Sequence, residues 1–387
     1  MPKGGGGPLV FCSAGEISGD IHLGEVLERV RERSPDCRFT GLGGDSMRER
    51  GCELLYHLQD TAVMGFTELF GSLGRVLKAR RGLKKAMRAL KPDLVILTDF
   101  PDFNLPLARA AAETGIPVIY YVCPQIWAWR PRRIELLRRH TRRRALIFPF
   151  EKRYYEERGL SCDFVGNPVL DEIARGEKEP RRKKLETPPG SLPLAILPGS
   201  RLRLFQRLAP VFFAAAEMVL NEIPETLPLL ALSPLISPKA LDEALLPFPR
   251  LKEKMIVRVS RSREILQAGK AALLASGTAA IEAAVLGVPM VAGYKASALS
   301  WLIARALVRV PFAAPANLVA GRMIVPELLQ EDCVPVKLAR ALFPLLGDGP
   351  ERRLALFELE KVKNSLGGPG AAARVADIVL EELEKKK

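Results

Sequence analysis

The stretch AALLASGTAAIEAAVLGVPMVAGY, residues 271–294, decides how this chain is interpreted, because its apolar length resembles a membrane span. Glu282 stands near its middle, however, where a charge surrounded by hydrocarbon is costly. Gly277, Gly287 and Pro289 also divide the stretch into short pieces, since glycine and proline interrupt regular structure. The stretch therefore predicts a buried strand, a helix and a second strand, which together make one unit of a parallel sheet.

The same alternation of short apolar runs and longer amphipathic runs continues through both halves of the chain. Alternating strands and helices form parallel sheets, so we predict the α/β class, with two doubly wound domains that face each other across a cleft. Ligands of such sheets bind beyond the carboxyl ends of the strands. The predicted strands are 8–13, 37–41, 93–98, 118–122, 145–148, 194–197, 227–231, 255–259, 271–274 and 289–293. The predicted helices are 23–33, 67–90, 105–114, 134–140, 210–222, 237–246, 262–268 and 278–286.

A charged stretch, RGEKEPRRKKLETPPG at 175–190, separates the two halves. It has hardly an apolar side chain to bury, which is typical of a linker. We therefore predict a first domain over residues 1–174 and a second over residues 191–367. The last residues, ARVADIVLEELEKKK, predict an amphipathic helix at about 368–387.

The bulk composition restricts the function classes. The net charge of +14 predicts attraction to an anion, and nucleic acid, anionic lipid and phosphorylated metabolites all qualify. The six cysteines form no CxxC pair, which indicates a reducing cytosol and no structural zinc. The apolar stretch 8–14 is too short for a signal peptide, so we expect a protein that is not exported. The three histidines accompany no serine or cysteine elbow, which disfavours hydrolase triads and histidine-rich metal sites.

Two turns of the second domain have the composition of phosphate sites. In LPGSR, 197–201, a glycine lets backbone amides approach an oxyanion and Arg201 can bind phosphate oxygens with its guanidinium. In ASGTAAIEA, 275–283, we expect Ser276 or Thr278 to cap a helix whose free amides attract an anion. Glu282 lies one turn deeper on the same face, where it can accept ribose hydroxyls. The alternative for LPGSR is an ordinary polar turn, and the alternative for Glu282 is a solvated helix residue.

The first-domain loops predict a different ligand. VFCSAGEISGD, 10–20, lacks the lysine of a phosphate-binding loop and carries Glu16 and Asp20, which would repel a pyrophosphate. We expect this loop to face a partner that bears hydroxyl groups. In LVILTDFPDFN, 94–104, Asp99 ends a buried strand, where partial desolvation favours a general base. The alternative for Asp99 is a turn cap, and Asp102 is predicted to be the N-cap of the next helix.

Three stretches combine apolar and basic side chains. In residues 64–88 the apolar stripe contains Phe66, Leu69, Phe70 and Leu73 beside dense cations, which favours a lipid-binding face over ordinary core. WRPRRIELLRRHTRRR, 129–144, carries eight arginines against one glutamate, and WLIARALVRVPF, 301–312, is a further apolar and cationic stretch. Proteins that bind nucleic acid usually interleave aromatic residues, which these stretches lack except at an edge. We therefore expect an anionic membrane surface and no nucleic acid.

Nine motifs, taken in order, resemble the lipid-A-disaccharide synthase family over residues 9 to about 345. They are SAGEISGD, AVMGF, DFPDFN, YVCPQIWAW, FVGNPVLD, LPGSR, LLASGTAAIEA, APANLVAGR and VPELLQ. The resemblance implies a GT-B glycosyltransferase with two Rossmann-like domains, a UDP-sugar held mainly by the second domain, and neither metal nor other cofactor. The C-terminal helix of such enzymes crosses back to the first domain.

The resemblance also implies a reaction and its residues. UDP-2,3-diacylglucosamine would be joined with inversion to 2,3-diacylglucosamine 1-phosphate, giving a β-1,6 disaccharide 1-phosphate and UDP at the inner face of the inner membrane. Asp99 would be the base that takes the proton of the acceptor 6-hydroxyl. The remaining roles are acceptor binding by Glu16 and Ser18, phosphate binding by Arg201, Ser276, Gly277 and Thr278, ribose binding by Glu282, and a place in the sugar-nucleotide region for Asn317.

The chain departs from the family pattern at Leu204, where an acidic residue is frequent, at Asn167, where histidine is common, and at Ile17, where a smaller residue is usual. Two other functions stay open. A UDP-sugar epimerase on the same fold would need no acceptor and would leave residues 64–88 without a purpose. A non-enzymatic membrane or nucleic-acid binder would depend on charge alone. The sequence also leaves open a homodimer and the preferred acyl-chain length.

Overall fold

The computed structural model describes residues 7–61, 69–178, 185–308 and 310–385; the side chains of residues 60, 61, 69–73, 177, 178, 299, 303 and 306 are not described. The chain divides into two compact units. Unit 1 comprises Met1–Glu172 and Leu366–Lys387, and unit 2 comprises Ile173–Ser365. Each unit is built around one parallel sheet of its own.

Unit 1 contains a seven-stranded sheet in the order β3-β2-β1-β4-β5-β6-β7. Its central strands, β1 and β4, pair in parallel with Ala14 opposite Thr98. Both are almost wholly buried because helices cover the two faces of the sheet, which explains their uninterrupted apolar sequence. The strands are β1 Leu9–Ala14, β2 Arg38–Gly43, β3 Cys52–His57, β4 Leu94–Thr98, β5 Val118–Tyr121, β6 Arg143–Leu146 and β7 Asp163–Phe164.

The helices of unit 1 include one from the far end of the sequence. This C-terminal helix, α18, packs its buried apolar side chains into the same core as those of α1. Its first turn is held by Asp171, which accepts hydrogen bonds from the backbone amides of Gly370 and Ala372. The helices are α1 Ile17–Arg33, α2 Asp45–Glu49, α3 Leu58–Thr61, α4 Leu69–Leu90, α5 Pro101–Ala112, α6 Ile134–His140, α7 Pro149–Glu156, α8 Pro168–Lys178, which contains the unit boundary, and α18 Ala371–Glu384.

Unit 2 contains a six-stranded parallel sheet in the order β10-β9-β8-β11-β12-β13. The strands are β8 Leu192–Leu197, β9 Thr226–Leu232, β10 Ile256–Val259, β11 Ala271–Ala275, β12 Met290–Tyr294 and β13 Glu327–Leu329. The helices are α9 Leu202–Glu222, α10 Pro238–Leu245, α11 Pro249–Lys254, α12 Ser262–Ala268, α13 Thr278–Val285, α14 Ala298–Leu307, α15 Pro315–Ala320, α16 Pro335–Leu346 and α17 Pro350–Ser365.

The α/β class and the two doubly wound sheets predicted from the sequence are confirmed. Residues 271–294 form β11, α13 and β12 as expected, and β11 lies in the middle of its sheet. The prediction for α9 is wrong at its start, because this helix begins at Leu202 and contains Pro210 in its interior. Among the residues described, no helix is long and apolar enough to cross a membrane.

A buried carboxyl group in unit 1 gives a prediction for stability. Glu151 accepts hydrogen bonds from the indole Nε1 of Trp127 (2.9 Å) and the backbone amide of Phe148 (3.1 Å). Burial nevertheless raises the pKa of Glu151 to about 7. The native state therefore holds a proton that the unfolded chain has lost, so this stability is present below pH 4.5 or so and disappears as the pH rises through about 7.

We expect a Glu151→Gln variant to lack that pH dependence. Between pH 4.5 and 7.5 the free energy of unfolding of the parent should fall by about 3 kcal/mol more than that of the variant. Urea titrations at several pH values between 4.5 and 7.5 measure the difference. Parallel curves for the two proteins would contradict it, and Glu156→Gln, on the exposed face of the same helix, is the control.

Candidate functional sites of the two units

A cavity of about 540 Å³ lies at the carboxyl ends of the unit 2 strands. It is lined by five residues that the sequence placed in a nucleotide site: Arg201, Ser276, Gly277, Thr278 and Glu282. Two stretches that the sequence analysis missed complete the wall, 231–234 after β9 and 260–262 after β10. They belong to short turns whose serine and arginine residues have no distinctive spacing. The cavity therefore has the place and the lining expected of an anion site in a parallel sheet.

The first wall of the cavity is the turn between β8 and α9. Gly199 has φ of 104°, and a Cβ there would lie 2.6 Å from Cδ2 of Leu204. Leu204, one of the positions where the sequence departs from the family pattern, thus closes the turn by apolar contact. Arg201 occupies the N-cap position of α9, whose first turn contains no acidic residue. The positive helix end and the guanidinium therefore act on the same side of the cavity.

The second wall is the turn between β11 and α13. The predicted cap by Ser276 or Thr278 is wrong, since Gly277 is the N-cap and no side chain caps this helix. The hydroxyl of Ser276 instead donates to the backbone carbonyl of Ala313 at 2.7 Å. The first amides of α13 therefore lack a side-chain acceptor and remain suited to an anionic ligand.

Glu282 lies one helical turn below this N-terminus, as its spacing from Thr278 predicted. Its side chain is mostly buried, and one carboxylate oxygen lies 3.8 Å from Nη2 of Arg263. The carboxylate also lines the cavity, so it can present an oxygen to a ligand hydroxyl. A hydrogen-bond acceptor one helical turn below an anion site corresponds to the order of ribose hydroxyls and phosphates in a nucleoside diphosphate.

Asn317, which the resemblance places in the sugar-nucleotide region, is fully buried and does not line the cavity. Its Oδ1 accepts from the amides of Ile324 and Val325, both at 2.8 Å. Its Nδ2 donates to the carbonyl of Val325 (2.8 Å) and to Oε1 of Glu327 (2.6 Å). Every polar group of the amide is therefore used within the fold.

Glu327 connects this buried amide to the cavity wall. Its carboxylate accepts hydrogen bonds from the backbone amides of Ala313 (2.7 Å) and Ala314 (2.9 Å). The carbonyl of the same Ala313 accepts the hydroxyl proton of Ser276. The series Asn317, Glu327, Ala313 and Ser276 thus fixes one side of the cavity. The sequence motifs containing Asn317 and Glu327 identified the segment but not its structural role.

Asp99 ends β4 in unit 1, at the carboxyl edge of the sheet. Asp99 and Phe100 have φ of 51° and 47°, two successive left-handed residues that cost conformational energy. The conformation is fixed at the carbonyl of Asp99, which accepts from Nδ2 of Asn104 (2.8 Å) and the hydroxyl of Tyr120 (2.7 Å). Burial raises the pKa of the Asp99 carboxyl, opposed by the Phe100 amide and by His22. The strained turn therefore holds a largely buried carboxyl group with a raised pKa at the position where the sequence predicted a base.

The opening loop lies beside this turn, because β1 and β4 are neighbours. A Cβ on Gly15 would meet the ring of Phe100 at 2.0 Å, so only glycine permits this approach. Glu16 is exposed at the N-cap position of α1, and Ser18 is half-buried. Both are placed at the same sheet edge as Asp99.

The expectation that both loop carboxylates face a ligand is wrong for Asp20. This residue is buried, and its carboxylate accepts from the amides of Gly44 (2.6 Å), Ser46 (3.0 Å) and Met47 (3.2 Å). It therefore holds the loop after β2 and does not face a ligand. Three amide donors from a loop distant in sequence could not be read from residues 10–20.

Asp102 is not the N-cap of α5, because that helix already begins at Pro101 after Phe100. Its carboxylate instead binds the guanidinium groups of Arg130 and Arg133. The departure at Asn167 has a local role: its Oδ1 accepts from the amide of Val169 at 3.1 Å, at the start of α8.

None of the four predicted acyl-binding residues has a described side chain. Phe66 lies outside the described residues, and Leu69, Phe70 and Leu73 lie in α4 with side chains that are not described. From Gly74 onward α4 exposes Arg75, Lys78, Arg81 and Lys85. Within the described ranges, no group of three or more His, Cys, Asp or Glu side chains is placed to hold a metal ion.

Comparison with known proteins places the chain in one family. A family model described as "Lipid-A-disaccharide synthetase" matches residues 10–368. The lipid-A-disaccharide synthase of Syntrophus aciditrophicus is 39% identical over 381 residues, which are 97% of this chain and 98% of that protein.

Solved structures agree on the fold. A putative UDP-N-acetylglucosamine 2-epimerase from Listeria monocytogenes superposes with a TM-score of 0.68 at 14% identity, over 97% of both chains. MurG of Acinetobacter baumannii gives 0.58 at 15% identity, over 96% of this chain and 99% of that one. At these identities the likeness concerns the fold, which is the two-sheet architecture described above. The match to the family model and the 39% identity over nearly the whole chain show that it belongs to the lipid-A-disaccharide synthase family.

Proposed function

We propose that this protein joins UDP-2,3-diacylglucosamine to 2,3-diacylglucosamine 1-phosphate, with inversion, to give the β-1,6-linked disaccharide 1-phosphate and UDP. The observation that carries the proposal is the unit 2 cavity, which brings Arg201, the uncapped start of α13 and Glu282 together at one sheet edge. Family membership supplies the identity of the sugars.

Unit 2 is proposed as the donor domain. The first amides of α13 and the guanidinium of Arg201 would bind the diphosphate, and Glu282 would accept the ribose hydroxyls. As the bond to UDP breaks, negative charge accumulates on the departing phosphate oxygen. Helix amides and a guanidinium that are already oriented stabilise that charge without a reorganisation cost.

Unit 1 is proposed as the acceptor domain. Asp99 would take the proton of the acceptor 6-hydroxyl while that oxygen attacks the anomeric carbon of the donor. Attack from the side opposite UDP inverts the configuration at that carbon. Glu16 and Ser18, at the same sheet edge, would bind acceptor hydroxyls, since a carboxylate accepts hydrogen bonds from a sugar and repels a diphosphate.

Because both proposed substrates are acylated, the reaction would take place at a bilayer surface. We propose peripheral association with the cytoplasmic face of the inner membrane, supported by the exposed cations of α4 and by the net charge of +14. Cations near an anionic leaflet each contribute about 1 kcal/mol of attraction, so a few of them hold a protein reversibly.

The test is a reaction with both acylated substrates in detergent. We expect stoichiometric UDP and disaccharide 1-phosphate, with no UDP released when the acceptor is omitted. UDP-N-acetylglucosamine supplied alone tests the epimerase alternative and should remain unchanged. Absence of disaccharide with both substrates present, or epimerisation without an acceptor, would overturn the proposal.

Replacement of Arg201 by alanine is expected to raise KM for the donor about 10- to 100-fold, because a charge-assisted bond to phosphate is lost. KM for the acceptor should change little. Steady-state kinetics with each substrate varied in turn measure both constants. Arg207→Ala is the matched control, since Arg207 is exposed on the same helix and does not line the cavity. Equal effects of the two variants on donor KM would refute the role of Arg201.

A further inference from the structure

The strongest unexplained feature of unit 2 is a long stretch without acidic residues. Residues 283–326 contain no Asp or Glu, although a stretch of that length would carry about five at the average of the chain. The same stretch carries four cations: Lys295, Arg305, Arg309 and Arg322. Arg322 is paired with Glu358 of α17, so the stretch itself is net positive and contributes no carboxylate of its own.

Helix α14 is the exposed part of this stretch. Its N-cap, Ser297, accepts a hydrogen bond from the amide of Ser300, so the helix has a defined start. Leu302 is 66% exposed, and Leu307 and Val308 at the other end are 49% and 42% exposed. Arg305 is exposed between them. Large apolar side chains and a cation thus share one short helix.

The base of α14 is anchored at one side. The side-chain oxygen of Gln330 accepts a hydrogen bond from the amide of Ala296 at 2.8 Å. Between this anchor and the helix, Lys295, Trp301, Leu302, Arg305 and Glu331 line a wide surface hollow. Apolar side chains from the helix thus lie beside two cations and one carboxylate, so the hollow keeps a net positive charge that suits an anionic headgroup with an acyl chain below it.

Exposed apolar side chains alone do not distinguish α14 from other helices of unit 2, because helix α17 has them too. Leu354 and Phe357 are 61% and 59% exposed there. That helix carries three glutamates among four cations, and the ammonium group of Lys361 lies 4.1 Å from the ring centre of Phe357. Because carboxylates stand beside its apolar side chains and are repelled by an anionic bilayer, α17 supplies a natural comparison with α14, which has no acid.

We propose that residues 295–308, the α14 surface, rest on an anionic phospholipid bilayer with the helix in the plane of the interface. Exposed apolar side chains beside a cation, on a helix that carries no acid, are the pattern of an interfacial helix. The proposal rests on the proposed function to the extent that acylated substrates reside in such a bilayer. It adds a membrane contact on unit 2, separate from the α4 region of unit 1.

Sedimentation with vesicles tests the α14 surface directly. The vesicles contain phosphatidylethanolamine and phosphatidylglycerol, with phosphatidylcholine alone as the neutral comparison. For the triple variant Leu302→Ser, Leu307→Ser, Val308→Ser we expect a partition coefficient about tenfold below that of the parent. Arg305→Gln should lose about fivefold, an effect that high salt removes. The matched control, Leu354→Ser with Phe357→Ser, should stay within about twofold of the parent.

Three outcomes would overturn the proposal: no binding of the parent to the anionic vesicles, equal losses in the triple variant and the α17 control, or a parent dimer that the triple substitution converts to monomer. The last result would assign the surface to a second copy of the chain. Turnover with substrates in detergent is measured in parallel. An active triple variant that no longer sediments supports the proposal, whereas an inactive parent would refute the proposed function and leave the vesicle result to be judged separately.

Discussion

The Asp99→Asn variant is expected to lose about 10²- to 10⁴-fold in kcat, which is the usual contribution of a positioned general base. The amide has nearly the same shape and cannot accept the hydroxyl proton. The carbonyl of residue 99 keeps its bonds from Asn104 and Tyr120, so the turn should retain its conformation. KM for both substrates should therefore change little.

The pH dependence gives a second measure of the same role. Burial raises the pKa of Asp99, so the acidic limb of the kcat/KM profile should lie above the ordinary aspartate value of 3.8. Activity is then present at higher pH and lost as the pH falls through that raised pKa. The Asn variant should lack this limb. Asp102→Asn, on the exposed surface of α5, is the control and should keep the profile of the parent. Full turnover by the Asp99→Asn enzyme would remove the assignment.

The Asn317→Ala variant is expected to lose about 3–5 kcal/mol of unfolding free energy, because several buried partners lose their hydrogen bonds together. The amides of Ile324 and Val325 would lose their acceptor, and one carboxylate oxygen of Glu327 would lose a donor. Denaturant titration measures the loss. Asn221→Ala, whose side chain meets only Arg250 at the surface in the described contacts, should change stability by less than about 0.5 kcal/mol.

The network also predicts a kinetic effect at a distance from the buried amide. Glu327→Gln puts a donor where the amides of Ala313 and Ala314 already donate, which should displace that segment and the hydroxyl of Ser276. We expect KM for the donor to rise about tenfold while KM for the acceptor is retained. A variant with reduced stability and unchanged donor KM would show that the network serves folding alone.

Much of the fold could be predicted because the central strands carry continuous apolar runs bounded by glycine, proline or aspartate. β1, β4, β8 and β11 were placed within a few residues of their true bounds. β3, β7 and β13 were missed, since they are edge strands with half-exposed or very short sequences. The start of α9 was missed because Pro210 suggested a first helical turn, whereas the helix accommodates it internally.

The candidate sites were predictable where function depends on a local turn. Arg201, Gly277 and Glu282 line one cavity because each follows a strand of the same sheet, and strand ends of a parallel sheet meet at one edge. The hydrogen bonds made by Asp20, Ser276 and Asn317 were not predicted, because their partners lie 24–27, 37 and 7–10 residues away. A hydrogen-bond partner in another loop leaves no periodic trace in the sequence.

The C-terminal helix α18 has a consequence for how the protein is made. Unit 2 is one uninterrupted length of chain, whereas the core of unit 1 needs side chains from both ends of the polypeptide. During translation the first 172 residues leave the ribosome without the helix that covers α1, and that apolar face stays open until synthesis ends. We therefore expect unit 2 to complete its folding before unit 1 during protein synthesis. A nascent chain that stalls just short of residue 371 would present the uncovered face to chaperones.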